Sequence, residues 1–512
     1  MVQVENGNNS QVVFLEGEAG LKELYDPNLL NQWNHLMQNS SVSSVFQSPD
    51  FVLPWLEENK NDYSPLILLM YLNGTLVGLL PLARKIDAKS GQLSKHLVGS
   101  GHFYAVYQTW LLVDGNEDFF WNKGLIGLMN HIPGCEINLK SLPNLESFKK
   151  MVSNNKVNKY SVIEKYHNPI LGFKLDGYQK IINKRHFKAK FNRVNKSGEL
   201  HFEHLNCLER LQLALNHIEV FHNLRQGAAF NKTPFPLDKE ERNIFIEWFK
   251  KGILHATALW LDEELIGAVI MIKDGKHTVH LAGLITYSPL HGKYSPGLVH
   301  LYLLVSRLKE EGLTYLKLSP GYDSYKERFS NESEELFELL ISNNRFSLLK
   351  RKFRISIRNF LIMKGIRPME VSVWIDKKRA LFKNKWFKLK KGNPHKEVDW
   401  ILFLRKIEQT NGKEFKGDID LRVMDISQLL LVDDCTFEIS RWEFLNDALK
   451  RLEENQIFYT LTQKNRLIFC VWGKKPEKLS DVNDDLKISY IPKNIFAALD
   501  IDFKQLKSWK EY

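Results

Sequence analysis

The sequence predicts an α/β (α+β) protein: two similar domains, each a mixed twisted sheet flanked by helices, and a smaller C-terminal α+β domain. Three observations predict it. An apolar strand, a short polar turn and a second apolar strand recur as LILLMYLNGTLVGLLPLA (66–83), LHATALWLDEELIGAVIMI (254–272) and IFYTLTQKNRLIFCVWG (457–473). The middle copy continues in β-β-β-α-β-α order, which mixes antiparallel with parallel pairing. The chain has 512 residues, 44% of them apolar, which is enough for several cores.

The first hairpin turns at Asn73-Gly74, a pair suited to two left-handed residues. Asp262-Glu263-Glu264 and Gln463-Lys464-Asn465 take the same place in the other copies. Gly78 and Gly267 fall at equivalent points of the second strand, where the third copy has Phe469. After the middle hairpin, KDG (273–275) marks another turn and KHTVHLAGLI (276–285) a third strand. The loop TYSPLHGKYSPG (286–297) leads into a helix, LVHLYLLVSRLKEEG (298–312). There Leu298, Leu301, Tyr302, Val305 and Leu308 keep helical spacing and Gly312 suits the C′ position. A short strand follows at 313–320, expected to lie parallel to 276–285, and then GYDSYKERF (321–329) turns into a helix. Upstream, 178–200 reads as a basic helix, 206–226 as an amphipathic one and 238–252 as another, with Asp238 as N-cap. Residues 343–395 read as a basic helical connector followed by an extended piece, and 440–455 as a helix entering the third hairpin. The expected domains are 1–165, 166–345, a connector over 346–395, and 396–512.

The helix after the loop opens on Ser295-Pro296-Gly297. Serine suits an N-cap and proline the first helical position, but glycine weakens a helix unless something needs the room. A phosphate is one such group, because a helix N-terminus offers free N–H groups and a positive dipole end.

The net charge is +11, and the stretches KRHFKAKFNRVNK (184–196), RFSLLKRKFRISIR (345–358) and KKRALFKNKWFKLKK (377–391) contain no acid. They favour an anionic partner: a nucleic acid, a membrane surface or a phosphorylated ligand. Four scattered cysteines without CxxC spacing, and no carboxylate or histidine cluster at ligand spacing, predict no metal. The start MVQVENGNNS has no signal-peptide pattern and no apolar run is long enough to span a bilayer, so a cytoplasmic protein is expected.

The stretch YSPGLVHLYLLVSRLKEEGLTYLKLSPGYDSYKERF (294–329) resembles the CelD/BcsL-like branch of the GNAT acyltransferase superfamily. FQSPDFVLPWLE (46–57), INKRHFKAKFNRVNK (182–196) and FHNLRQ (221–226) are similar to further segments of that branch, in the same order. The resemblance covers roughly 46–330 and, more loosely, 441–473. It implies tandem GNAT-like domains, the second binding acetyl-CoA or another acyl-CoA as co-substrate. The implied acceptor is an amine or hydroxyl, such as a sugar or amino sugar of an envelope or exopolysaccharide precursor. It implies Ser295, Pro296, Gly297 and Leu298 as the pyrophosphate turn, with Pro320 and Gly321 shaping the turn after the next strand. Tyr325 and Lys326 would line the acceptor side, with Arg225 of the 221–226 segment also toward the substrate.

In such a mechanism the acceptor attacks the thioester carbonyl, and backbone N–H groups of 278–285 hold the oxyanion. Asp323 or His280 would be the base; Tyr287 or Tyr325 would protonate the thiolate. Two other readings stand beside it. One is a FemABX-like transferase using aminoacyl-tRNA, which the basic stretches would serve. The other is a non-catalytic scaffold docked at a glycan assembly on the inner face of an anionic membrane.

Overall fold

The computed structural model describes residues 2–5, 9–143, 148–149, 159–233, 240–321, 324–388, 419–433, 439–474 and 487–490. Fourteen strands form one sheet: β1 Val2–Glu5, β2 Ser10–Glu16, β3 Tyr63–Leu72, β4 Thr75–Ile86, β5 Leu93–Gly99, β6 Leu111–Leu112, β7 Glu136–Pro143, β8 Ser161–Gly172, β9 Leu200–His204, β10 Leu254–Leu261, β11 Glu264–Asp274, β12 Thr278–Tyr287, β13 Tyr315–Lys317 and β14 Glu332–Ser342. Their order is β1-β2-β3-β4-β5-β7-β14-β8-β13-β12-β11-β10-β9, with β6 on β4. The first two hairpins form as the sequence predicts. Asn73 and Gly74 have φ of 49° and 78°, the two left-handed positions that match a hairpin's twist.

The halves repeat a pattern. In the first, β3, β4 and β5 form a meander and β5 runs parallel to β7. In the second, β10, β11 and β12 form a meander and β12 runs parallel to β13. The halves then exchange strands. β8, which follows the first half, pairs with β13 of the second, and β14, at the end of the second, pairs with β7 of the first. β8 and β14 pair with each other over ten residues at the centre. The sheet is therefore continuous, where the sequence predicts a sheet for each domain, and residue 165 lies inside β8. Asn331 pins the exchange: its side chain accepts from Gly172 N at 2.9 Å and donates to Gly172 O at 3.0 Å.

Helices Pro27–Asn39, Pro49–Glu58, Leu208–Phe230 and Glu240–Lys250 cover one face of the sheet, around Trp33, Phe51, Trp55 and Trp248. On the other face, helix Pro296–Glu310 packs Leu301, Leu304, Val305 and Leu308 on Val279, Leu281 and Leu316. The basic segment expected as one helix over 178–200 is two, Tyr178–Ile182 and Arg185–Asn195, parted at Asn183-Lys184. Helix Glu240–Lys250 forms, while Asp238 lies outside the described residues.

The connector differs from the expectation. Helix Arg345–Met363 is followed by a second helix, Pro368–Lys388, where an extended piece was expected; Gly365, at φ 72°, and Pro368 separate the two. Beyond them, β15 Ile419–Val423, β16 Gln456–Gln463, β17 Arg466–Lys474 and β18 Lys487–Tyr490 form a second sheet holding the third hairpin. Its helix, Arg441–Glu453, starts with a capping box between Ser440 and Glu443. It packs on helix Leu208–Phe230, where Trp442 Nε1 donates to Ala228 O at 2.9 Å.

Candidate active site

β12 and β13 pair over three residues only, Thr278–His280 with Tyr315–Lys317. Past that point the ladder of β12 with β11 slips: Met271 faces Leu281 but Ile270 faces Leu284. The two extra residues bulge the strand and bend it away from β13. The unpaired stretch beyond His280 and Lys317 is the V between the parallel strands, and helix Pro296–Glu310 starts beside Tyr287, where β12 ends. Ser319, at φ 62°, donates its hydroxyl to Leu281 O across the opening.

The helix start is tighter than a serine cap. Ser295 is left-handed, φ 57° and ψ 53°, and its side chain makes no capping bond. Its Oγ instead accepts from Lys190 Nζ at 2.7 Å. Pro296 has no N–H, and the amides of Leu298 and Val299 both reach Ser295 O, at 3.0 and 3.3 Å. Gly297 N–H is thus the first-turn amide without a helical acceptor. The Gly297 Cα is half-buried, and a Cβ built there would meet Tyr287 Cδ1 at 3.4 Å, an ordinary contact. Arg225 stacks on that ring: its guanidinium sits 4.1 Å from the Tyr287 ring centroid and donates to Ile285 O at 3.1 Å.

The structure therefore brings Ser295, Gly297, Tyr287 and Arg225 together with Lys190 around the helix N-terminus. Lys190 escaped individual notice in the sequence, although the acid-free run 184–196 that carries it was visible. Leu298 is half-buried against the core beneath the helix, a packing position. Pro296 is buried at the first helical position.

The other expected residues fall elsewhere. Gly321 has φ 140°, a conformation that favours glycine. Lys326 is 6% exposed and its Nζ donates to Pro320 O at 3.0 Å, so it ties the turn after β13. Tyr325 packs on the core with Leu318 and Phe329. Asp323 lies outside the described residues.

His280 requires a correction. It is fully buried, between the rings of Phe46 and Tyr107, and its Nε2 meets Asp274 Oδ2 at 3.1 Å. Burial holds its pKa below the ordinary value against the pull of Asp274. Burial tends to raise Asp274, but the hydrogen bonds from His280 and from the Val45 amide bring it net below the usual value. A neutral imidazole on a carboxylate, sealed by two aromatic rings, serves as packing and presents no base to a substrate.

Next to it lies a polar cluster with no sequence signature. Lys317 is the register partner of His280 at the last pair before the V opens. Its Nζ contacts the Tyr107 hydroxyl and Glu334 Oε2, the latter at 3.0 Å. Tyr107 Oη donates to Glu334 Oε1 at 2.6 Å and Asn168 Nδ2 donates to the same oxygen at 2.7 Å. Burial, with the nearby Glu334 charge, holds the phenol far above its ordinary pKa. The cluster joins both halves of the chain and both exchanged strands. Side chains alternate along β12, so His280 and this cluster face away from helix Pro296–Glu310, while Val279 and Leu281 face it.

A second polar group sits at the far end of that helix. His255 Nε2 and His204 Nδ1 meet the two oxygens of Glu311 at 2.9 and 3.2 Å, and Arg307 Nε donates to Glu311 at 3.1 Å. It ties the helix C-terminus to β9 and β10.

Residues 183–327 match the family model described as an acetyltransferase (GNAT) domain. That span holds the meander, the helix at the V and β13. No curated protein matches the chain. Among solved structures the chain is similar to FemX, at 11% identity over 62% of this chain and 98% of that one, TM-score 0.42. It is also similar to L-PGS from Bacillus licheniformis, at 12% identity over 62% and 93%, TM-score 0.40. A tandem GNAT protein from the clavulanic acid biosynthesis pathway gives 10% identity over 64% and 98%, TM-score 0.35.

Proposed function

We propose that the chain is a GNAT-type transferase of the CelD/BcsL-like kind that moves an acyl group from acyl-CoA to an amine or hydroxyl, with a sugar or amino sugar as acceptor. One observation carries the reading: a helix with an unused amide at Gly297 starts beside Tyr287, at the end of one of the two parallel strands that form the V. The diphosphate of the donor would lie on Gly297 N–H, favoured by the positive helix end and by Lys190. The pantetheine arm would run into the V between β12 and β13. The acceptor would enter from the opposite face of the sheet, where Lys317, Tyr107 and Glu334 meet. Glu334, 22% exposed on its side chain, would take the acceptor's proton through a water, and Tyr287 would protonate the departing thiolate.

A second reading is transfer from aminoacyl-tRNA, favoured by the cationic helices Arg345–Met363 and Pro368–Lys388 beside the catalytic half. Titration calorimetry with acetyl-CoA, followed by thiol release in the presence of a panel of amino sugars, tests the first. Absence of acetyl-CoA binding combined with transfer from aminoacyl-tRNA would replace it by the second.

A further inference from the structure

Helix Arg345–Met363 is amphipathic the wrong way round for a globular surface. Its inner face holds it to the sheet: Leu348 is buried, and Arg351 bonds Glu164 at 2.7 Å and Glu338 at 2.6 Å. Arg358, two turns further, also pairs with Glu164. The face opposite carries Phe346, Leu349, Phe353, Ile357, Phe360 and Met363, spaced by three or four residues. They are 73, 65, 66, 45, 53 and 74% exposed. Lys350, Lys352 and Arg354 flank the stripe and are exposed. The next helix adds Trp374 at 59% exposure.

We infer that this helical pair docks on an anionic lipid bilayer, lying in its surface with the Phe353 stripe among the acyl chains and the cations on the headgroups. Residues 345–388 contain fourteen lysines and arginines against two acids, a net +12, where the whole chain carries +11. That concentration selects an anionic surface. It also opposes a second copy of the same face, which would bring two such charges together. Leu349, Ile357 and Met363 along the stripe give nothing to a phosphate backbone, whereas an apolar stripe edged by cations is what an interfacial helix needs. Among the described residues no helix is long and apolar enough to cross a membrane, so the contact is with the surface. The inference does not rest on acyl-CoA as the donor, and it competes with aminoacyl-tRNA for the same cationic helices.

The test is flotation of the full-length chain with vesicles of phosphatidylcholine alone or with 3 parts in 10 phosphatidylglycerol (roughly the anionic share that gives a strong surface potential). The chain should float with the anionic vesicles and stay below with the neutral ones. Phe346→Ser/Phe353→Ser/Phe360→Ser should lower the partition at least about tenfold with an unchanged melting temperature, because all three positions face solvent. Lys350→Glu/Arg354→Glu should do the same on anionic vesicles. The inference is overturned if the wild-type chain fails to float with the anionic vesicles, or if the triple serine variant floats as well as wild type. It is also overturned if the stripe proves to be occupied otherwise: a dimer that the triple variant dissociates, or RNA binding that the triple variant loses.

Discussion

Substitutions at Gly297 separate a phosphate site from a capped helix. The Cβ of alanine would sit 3.4 Å from Tyr287 Cδ1, in ordinary contact, with no backbone in the way. Gly297→Ala should therefore fold and gain up to about 1 kcal/mol from helix propensity. It should also keep the amide open. Valine extends the side chain into the Tyr287 ring, which Arg225 holds from 4.1 Å. The two methyls added beyond that Cβ should crowd the ring and cover the approach to the Gly297 amide. A hydrogen bond from an amide to a charged phosphate contributes about 1.5–3 kcal/mol, so Gly297→Val should weaken acetyl-CoA roughly 10- to 150-fold. Lys190→Ala, losing the cation but keeping the turn, should weaken it less, by about fivefold, and more at low salt than at high. Calorimetry reads the affinities and thermal unfolding reads the fold. Acetyl-CoA affinity for Gly297→Val equal to that of wild type, at unchanged melting temperature, would remove the helix N-terminus from the donor site.

Stability should fall as pH drops below about 6.5. Burial pushes His300 down to about 3 and His222 down to about 4, so below the ordinary histidine value the unfolded chain takes up protons that the folded chain refuses. Each should remove about 2 kcal/mol between pH 7 and pH 5, read by urea unfolding; a flat profile contradicts the assignment. Tyr107→Phe should cost about 1–2 kcal/mol by removing the donor to Glu334, and a double-mutant cycle with Lys317→Met should show coupling rather than addition. Asn331→Ala removes both bonds to Gly172 and should cost about 2 kcal/mol, with hydrogen exchange at Gly172 reporting the loosened strand; unchanged exchange there would mean the clamp is idle.

What the sequence revealed was local. Hairpin turns are set by two residues, so Asn73-Gly74 and the Lys464-Asn465 pair, at φ 49° and 58°, could be read directly. The helix start at Pro296 and the parallel neighbours β12 and β13 followed from short-range pattern as well. The strand exchange could not be read, because β14 meets β7 across nearly two hundred residues and no local spacing encodes the choice. For the same reason Tyr107, Lys317 and Glu334 carried no motif: three separated segments supply one residue each. His280 misled because a histidine in a strand looks alike whether its neighbours are water or, as here, Phe46 and Tyr107. Ser295 was placed correctly as the N-cap, but its left-handed backbone aims the hydroxyl at a lysine that sequence could not locate.

Because β14 fills the gap between β7 and β8, neither half owns all the strands it needs. A ribosome releasing this chain must emit residue 342 before the first half can close its edge, so the nascent N-terminal portion waits with β7 open. Cutting the gene near its apparent midpoint would yield two fragments that each miss a central strand, and they should recover a native sheet only when produced together.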